Sequence, residues 1–157
     1  AHHVTTVDCF TGERIVLDRE SGVPIARACA ASSSLPGLNG PAWINDRPCM
    51  DGGISKSSTH AELLTGVKKA VIFVMLDLTP EEAAKRGGSF GYAERINPGT
   101  ARREAEKLEQ AGTSTLLIAA NPDPKIDFMD PRQMTGAIQH GASKAESMIE
   151  QLKSTWN

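Results

Sequence analysis

Seven consecutive apolar residues, Ala70-Val71-Ile72-Phe73-Val74-Met75-Leu76, leave this chain few folds to choose from. A bilayer span needs about 20 such residues, so the run is not a membrane segment. An unbroken run, rather than strict alternation, belongs to a strand buried on both faces, as in a parallel sheet. Thr115 to Ala120 repeats the pattern. Helical signals lie around these runs. Thr79-Pro80-Glu81-Glu82 sets a proline and two carboxylates in a first turn, where φ and the helix dipole favour them. Asn97-Pro98 opens a helix through Ala111 that Gly112 stops. A last helix from about Pro131 to Leu152 carries Met134, Ile138, Ala145, Ile149 and Leu152 on its apolar side. Strands alternating with helices predict an α/β fold with a largely parallel sheet.

At 157 residues, 39% hydrophobic and 23% charged, the chain can bury a core as one ordinary domain. A net charge of −2 with mixed signs gives no footprint for nucleic acid or an anionic membrane surface. Cys9, Cys29 and Cys49 are odd in number and widely spaced, which argues against a disulfide framework and a Cys-rich zinc site. A reducing, cytoplasmic setting is the expectation. The opening Ala1-His2-His3-Val4 has no apolar signal segment, and Val4-Thr5-Thr6-Val7 continues it like the middle of a strand. That start reads as a cut into a larger protein.

The first third reads as strands and turns. A β-rich segment from Val4 to Phe10 turns at Thr11-Gly12-Glu13 and returns through Arg14 to Leu17. Ile25 to Ala31 reads as a short helix of small residues that breaks at Leu35-Pro36-Gly37. Ala42–Ile44 and Arg47–Met50 flank Asn45-Asp46 as a hairpin leading into Asp51-Gly52-Gly53. By themselves Asp-Gly and Gly-Gly are turn signals. Ser58 or Thr59 caps a helix through Leu64, closed by Gly66.

Other patterns compete for the chemistry. Gly87-Gly88-Ser89-Phe90-Gly91 fits G-x-S-x-G, and Asp123, Asp127 or Asp130 followed by His140 completes the order Ser, Asp, His. That motif needs a strand running straight into the serine, whereas the charged helix-like Glu81 to Arg86 precedes it. His60-Ala61-Glu62 has the H-x-E of zinc deaminases without the paired cysteines. No metal and no cofactor is expected. Gly52-Gly53 lacks the G-x-G-x-x-G and P-loop patterns of a phosphate cradle.

Four blocks in order resemble the second half of a patatin-like phospholipase domain. They are Val7-Asp8-Cys9-Phe10-Thr11-Gly12-Glu13, Ala30-Ala31-Ser32-Ser33-Ser34-Leu35-Pro36-Gly37, the hairpin running into Met50-Asp51-Gly52-Gly53, and the strand Ala70 to Leu76. Cys49 and Met50 stand where that family more often has an aromatic residue. The resemblance covers Val4 to Leu76 and implies a three-layer α/β/α architecture with a mostly parallel sheet. Residues 1–157 would then be a single, partial domain, its C-terminal part. The resemblance also implies a lipid acyl hydrolase with a Ser-Asp dyad, in which Asp51 is the general base. Gly52 and Gly53 would allow close backbone approach, and Ser32 would be a hydrogen-bonding residue near the pocket. The nucleophile elbow and Gly-rich oxyanion loop would come from a missing N-terminal half or a companion chain. A lipid or acyl ester is the expected substrate, and a companion or homo-oligomer contact is expected to cover the open sheet edge. The alternatives are a catalytically inactive α/β binding module, whose D-G-G is only a turn, and a self-contained esterase using Ser89 and His140.

Overall fold

The computed structural model describes residues 2–55, 57, 59–86, 99–123, 125, 126 and 130–156. They divide into two compact units, Ala1–His60 and Ala61–Asn157.

Short connections build the first unit. Strand β1 (Val4–Asp8) turns back into β2 (Arg14–Leu17) through Gly12 at φ 70°. Helix α1 (Ile25–Ser32) follows, then β3 (Ala42–Ile44) and β4 (Arg47–Asp51). Asn45 and Asp46 both take positive φ, 46° and 62°, as a two-residue hairpin turn that matches strand twist requires. The four strands lie in the order β2-β1-β4-β3. Each neighbouring pair is antiparallel, with Thr6 opposite Asp51 and Cys49 opposite both Asp8 and Ala42. Helix α1 packs on β1, β3 and β4, and Ala28 and Ala31 bury against Leu17, Ile44 and Cys49. The small residues in α1 are what let the helix lie close to the sheet.

The second unit contains a 3-10 turn (Ala61–Leu64), β5 (Lys69–Val74), α2 (Pro80–Lys85), α3 (Thr100–Gln110), β6 (Ser114–Ala119) and α4 (Met134–Trp156). Strands β5 and β6 pair in parallel from Lys69↔Ser114 to Val74↔Ala119. Helix α3 covers one face, where Ala61, Ala70, Ile72, Ala105 and Leu108 form the core. At the carboxyl ends of these strands the buried Asp77 accepts the Arg102 guanidinium at 2.8 Å and the Arg102 backbone N–H at 3.2 Å. Asn121 closes the same corner. Its side chain accepts from the Asp77 N–H and donates to the Asp77 carbonyl. Thr79 and Glu82 form a reciprocal capping box on α2.

An α/β mixture with a parallel strand pair is therefore present, but a mostly parallel sheet is not. Among the described residues the larger sheet is wholly antiparallel and only β5–β6 is parallel. The reason is connection length. A parallel pair needs a crossover of about a dozen residues, and the turns at 11–13 and 45–46 are far shorter. Three further expectations change. The 70–76 run is buried on one face only, with Ile72 at 6% exposure and Phe73 at 68%. In α4, Met134 and Ile138 are exposed, while Ala145, Met148 and Leu152 line a cavity of about 330 Å³ with Phe73 and Ile118. The helix expected to end at Leu64 is only the 3-10 turn.

Leu108, 2% exposed, is the largest side chain from α3 in the second core. Leu108→Ala is expected to lower stability by about 2–5 kcal/mol through lost transfer energy and the cavity left behind. Urea unfolding followed by circular dichroism checks this, and a change within about 0.5 kcal/mol would show that the site is not packed as described.

Candidate active site

Asp51 ends β4, and its backbone is fixed before its side chain comes into play. On the β1 side, the buried Thr6 hydroxyl donates to the Met50 carbonyl at 2.6 Å. On the α1 side, the Asp51 N–H donates to the Ser34 carbonyl at 2.9 Å, and the Ser34 hydroxyl bonds the Ala30 carbonyl at 2.8 Å. The second and third blocks of the sequence thus meet directly. Ser34, not Ser32, makes this tie. Ser32 is half-buried at the end of α1, and its hydroxyl has no hydrogen bond among the described residues.

Beyond Asp51 the chain enters a 3-10 turn, Gly52–Ile54, which Asp51 caps. Asp51 Oδ1 accepts the Gly53 N–H at 2.7 Å, and Oδ2 takes no hydrogen bond from the described residues. Gly52 is buried against β1. A Cβ there would lie 2.5 Å from the Thr5 carbonyl oxygen and 2.7 Å from the Thr5 hydroxyl. The space that Gly52 leaves is filled by Thr5. A Cβ on the exposed Gly53 would instead lie 3.1 Å from Asp51 Oδ1.

His60 returns over this turn. Its Nε2 lies 3.1 Å from the Gly52 carbonyl oxygen, and its Nδ1 lies 3.3 Å from Arg14 Nη1 on β2. A carbonyl oxygen only accepts, so Nε2 carries the proton and Nδ1 presents its lone pair to the guanidinium. Arg14 and His60 were missed as members of the site in sequence. His60, nine residues past the aspartate, stands out only in the triplet His60-Ala61-Glu62, and an arginine in a β strand carries no pattern that joins it to the turn.

The first block serves as a clamp on the loop after β1. Asp8 is buried, and its Oδ1 accepts the N–H groups of Phe10 at 2.8 Å and Thr11 at 3.1 Å. These backbone donors, with a smaller contribution from Arg47 at 3.7 Å, hold its carboxyl below the ordinary aspartate value. Cys49, next to the turn, is buried, and that burial pushes its thiol up. Cys9, Cys29 and Cys49 are all free thiols.

The rival constellation is not assembled among the described residues. Ser89 and Asp127 lie outside them. Asp123 caps a turn at the Lys125 N–H, and Asp130 binds Arg132. His140 sits in α4 with its Nε2 buried and without a hydrogen-bond partner among the described residues. Those residues contain no group of three or more His, Cys, Asp or Glu side chains placed to hold a metal ion.

Residues 1–64 match the family of patatin-like phospholipases. The match supports a patatin-like assignment for that segment, and it takes in Ser32, Asp51, Gly52, Gly53 and His60. It also corrects the expected placement. The matched segment lies at the N-terminal end of this chain and stops before β5, which contradicts in part the C-terminal placement expected from the resemblance. Strand β5 is a generic apolar run whose pattern any buried strand shares. No curated protein matches the sequence. Among the described residues, no helix is long and apolar enough to cross a membrane.

Two outcomes follow from this geometry. Gly52→Ala forces backbone against backbone and is expected to cost about 1–3 kcal/mol, whereas Gly53→Ala presses only on a movable carboxylate and should cost clearly less. Equal urea midpoints for the two variants would contradict the close approach to Thr5. For Asp8, a depressed folded-state value means that its stabilisation is present above the unfolded value and lost as pH falls. Wild type should therefore lose stability relative to Asp8→Asn from about pH 5 downward, through 3.8 to the folded value. Parallel stability–pH curves for the two proteins would rule this out.

Proposed function

We propose that this chain carries the general base of a patatin-like lipid acyl hydrolase and that Asp51 is that base. The observation that carries the reading is the state of one carboxylate. Asp51 Oδ1 is committed to the Gly53 N–H, and Oδ2 is left for a proton, on a turn whose backbone groups are tied to β1, α1 and His60. The family match over residues 1–64 supports the same class of chemistry.

In the proposed reaction a serine hydroxyl gives its proton to Asp51 as its oxygen attacks the ester carbonyl. The tetrahedral intermediate collapses to an acyl-serine, and the departing alcohol takes the proton from Asp51. Water, deprotonated by the same carboxylate, then attacks the acyl-serine, and the returning proton regenerates the serine. Backbone N–H groups of a Gly-rich loop would stabilise the oxyanion. We assign the serine and that loop to a segment outside these 157 residues, in the same protein or in a companion chain. The substrate is a lipid or other acyl ester, and lipid degradation in a cytoplasmic setting is the corresponding role. A homo-oligomer is part of the same proposal.

A second reading is favoured by the capping bond itself, since a carboxylate at the start of a 3-10 turn serves folding alone in an inactive binding module. Ester hydrolysis by the full protein separates the two. Asp51→Asn keeps an acceptor for the Gly53 N–H and should lower kcat/KM on p-nitrophenyl butyrate by about 10²–10⁴-fold. A fully active Asp51→Asn variant whose activity disappears with Ser89→Ala would place the chemistry at Ser89. No hydrolysis by the wild type would leave the turn as structure only.

A further inference from the structure

We infer that His60, held by Arg14, is a positioning residue that sets the direction of the Asp51 carboxylate through a single peptide plane. This rests on the proposed role of Asp51. The Gly52 carbonyl and the Gly53 N–H belong to the same peptide unit, and a peptide unit is rigid and planar. Its carbonyl oxygen takes the His60 Nε2–H at 3.1 Å, and its N–H holds Asp51 Oδ1 at 2.7 Å. Whatever fixes one end fixes the other. Rotation of this plane would turn the N–H away from Oδ1 and release the carboxylate.

The plane needs an external clamp because a glycine lies on each side of it. Glycine dihedrals are the least restricted, so a peptide between two of them turns over most readily. Thr5 blocks movement at the Gly52 Cα. Within the turn, the Ser55 N–H reaches the same carbonyl at the longer distance of 3.2 Å. The ring of His60, 6% exposed, is the side-chain clamp.

The loop is built to deliver that ring. Ser55 and Ser57 bond to each other, with the Ser55 hydroxyl on the Ser57 carbonyl at 3.0 Å. The Ser57 hydroxyl then accepts the His60 N–H at 2.7 Å. His60 itself sits at φ 52°, a region that side-chain-bearing residues occupy mainly where their surroundings hold them there. Arg14 Nη1 at Nδ1 fixes the ring's rotation and tautomer. The order of control runs from Arg14 to the ring, from the ring to the peptide, and from the peptide to the carboxylate.

The test uses the full protein. His60→Gly removes the ring without straining φ 52°, because glycine accepts that backbone. Its kcat on p-nitrophenyl butyrate, per active site titrated with a fluorophosphonate, should fall by about 10²-fold with KM unchanged, the loss expected for a misdirected catalytic group. His60→Asn tolerates the same φ and brings an amide N–H, and it should recover most of that loss. A per-site kcat equal to wild type in folded His60→Gly overturns the inference, as does an equal loss in His60→Asn. If His60→Gly does not fold, Arg14→Met on the exposed face of β2 decides. Reduced kcat at constant KM supports the relay, and unchanged kcat overturns it. Asp51→Asn in the same series keeps the two claims apart. Its retained activity refutes the role of Asp51, whereas its loss alongside an unaffected His60→Gly refutes the positioning alone.

Discussion

The contact between the Gly52 Cα and the Thr5 backbone is the constraint on which the first unit's candidate site depends. It brings the end of β4 against β1 more closely than any residue with a Cβ would permit. From there the chain leaves the sheet in the 3-10 turn Gly52–Ile54, which Asp51 caps. The other ties follow from this placement. Met50 meets the Thr6 hydroxyl, Asp51 meets Ser34, and the Gly52 carbonyl turns toward the loop that ends in His60. Each is a buried or half-buried polar group that would be costly to leave without a partner.

Much of the first unit was legible because its signals are local. Asn45-Asp46 takes the two positive φ angles that its turn demands, and Gly12 lies at the corner between β1 and β2. The same short turns already excluded a mostly parallel sheet, since they can join only antiparallel neighbours. That expectation extended the character of the 70–76 run to strands with different connections. The run itself misleads for a second reason. Apolar residues on both faces state what a strand tolerates, and Phe73 is nonetheless exposed on β5.

The site was legible in one half and hidden in the other. Asp51-Gly52-Gly53 announces a turn by composition, and the order of blocks links it to a family that matches residues 1–64. Ser32 was singled out by position within a motif, whereas hydrogen bonding selects Ser34, two residues on, where the helix has ended and the carbonyl is free to meet β4. Arg14 carries no sequence signal, and His60 stands out only in the H-x-E triplet His60-Ala61-Glu62, which points to a different chemistry. The two are 46 residues apart and meet only because β2 and His60 both lie beside the turn. Contacts of that kind depend on tertiary placement, which no local pattern records.

A turn and a catalytic site are not competing descriptions of Asp51-Gly52-Gly53. A general base is useful to the degree that its carboxylate is held in one orientation before the substrate arrives. The features that make this segment an ordinary turn supply that condition. A capped first residue fixes Oδ1, a glycine with no room for a Cβ fixes the backbone, and satisfied carbonyl and N–H groups remove the alternatives. Asp8 spends one oxygen on two backbone donors while the other faces Arg47. Asp51 spends a single oxygen on a single donor, and in the proposed role Oδ2 is the atom that receives the serine proton. Asp8 and Asp51 sit on neighbouring strands of one sheet, and it is Asp51, at the head of the Gly52–Ile54 turn, whose second oxygen the proposal puts to use.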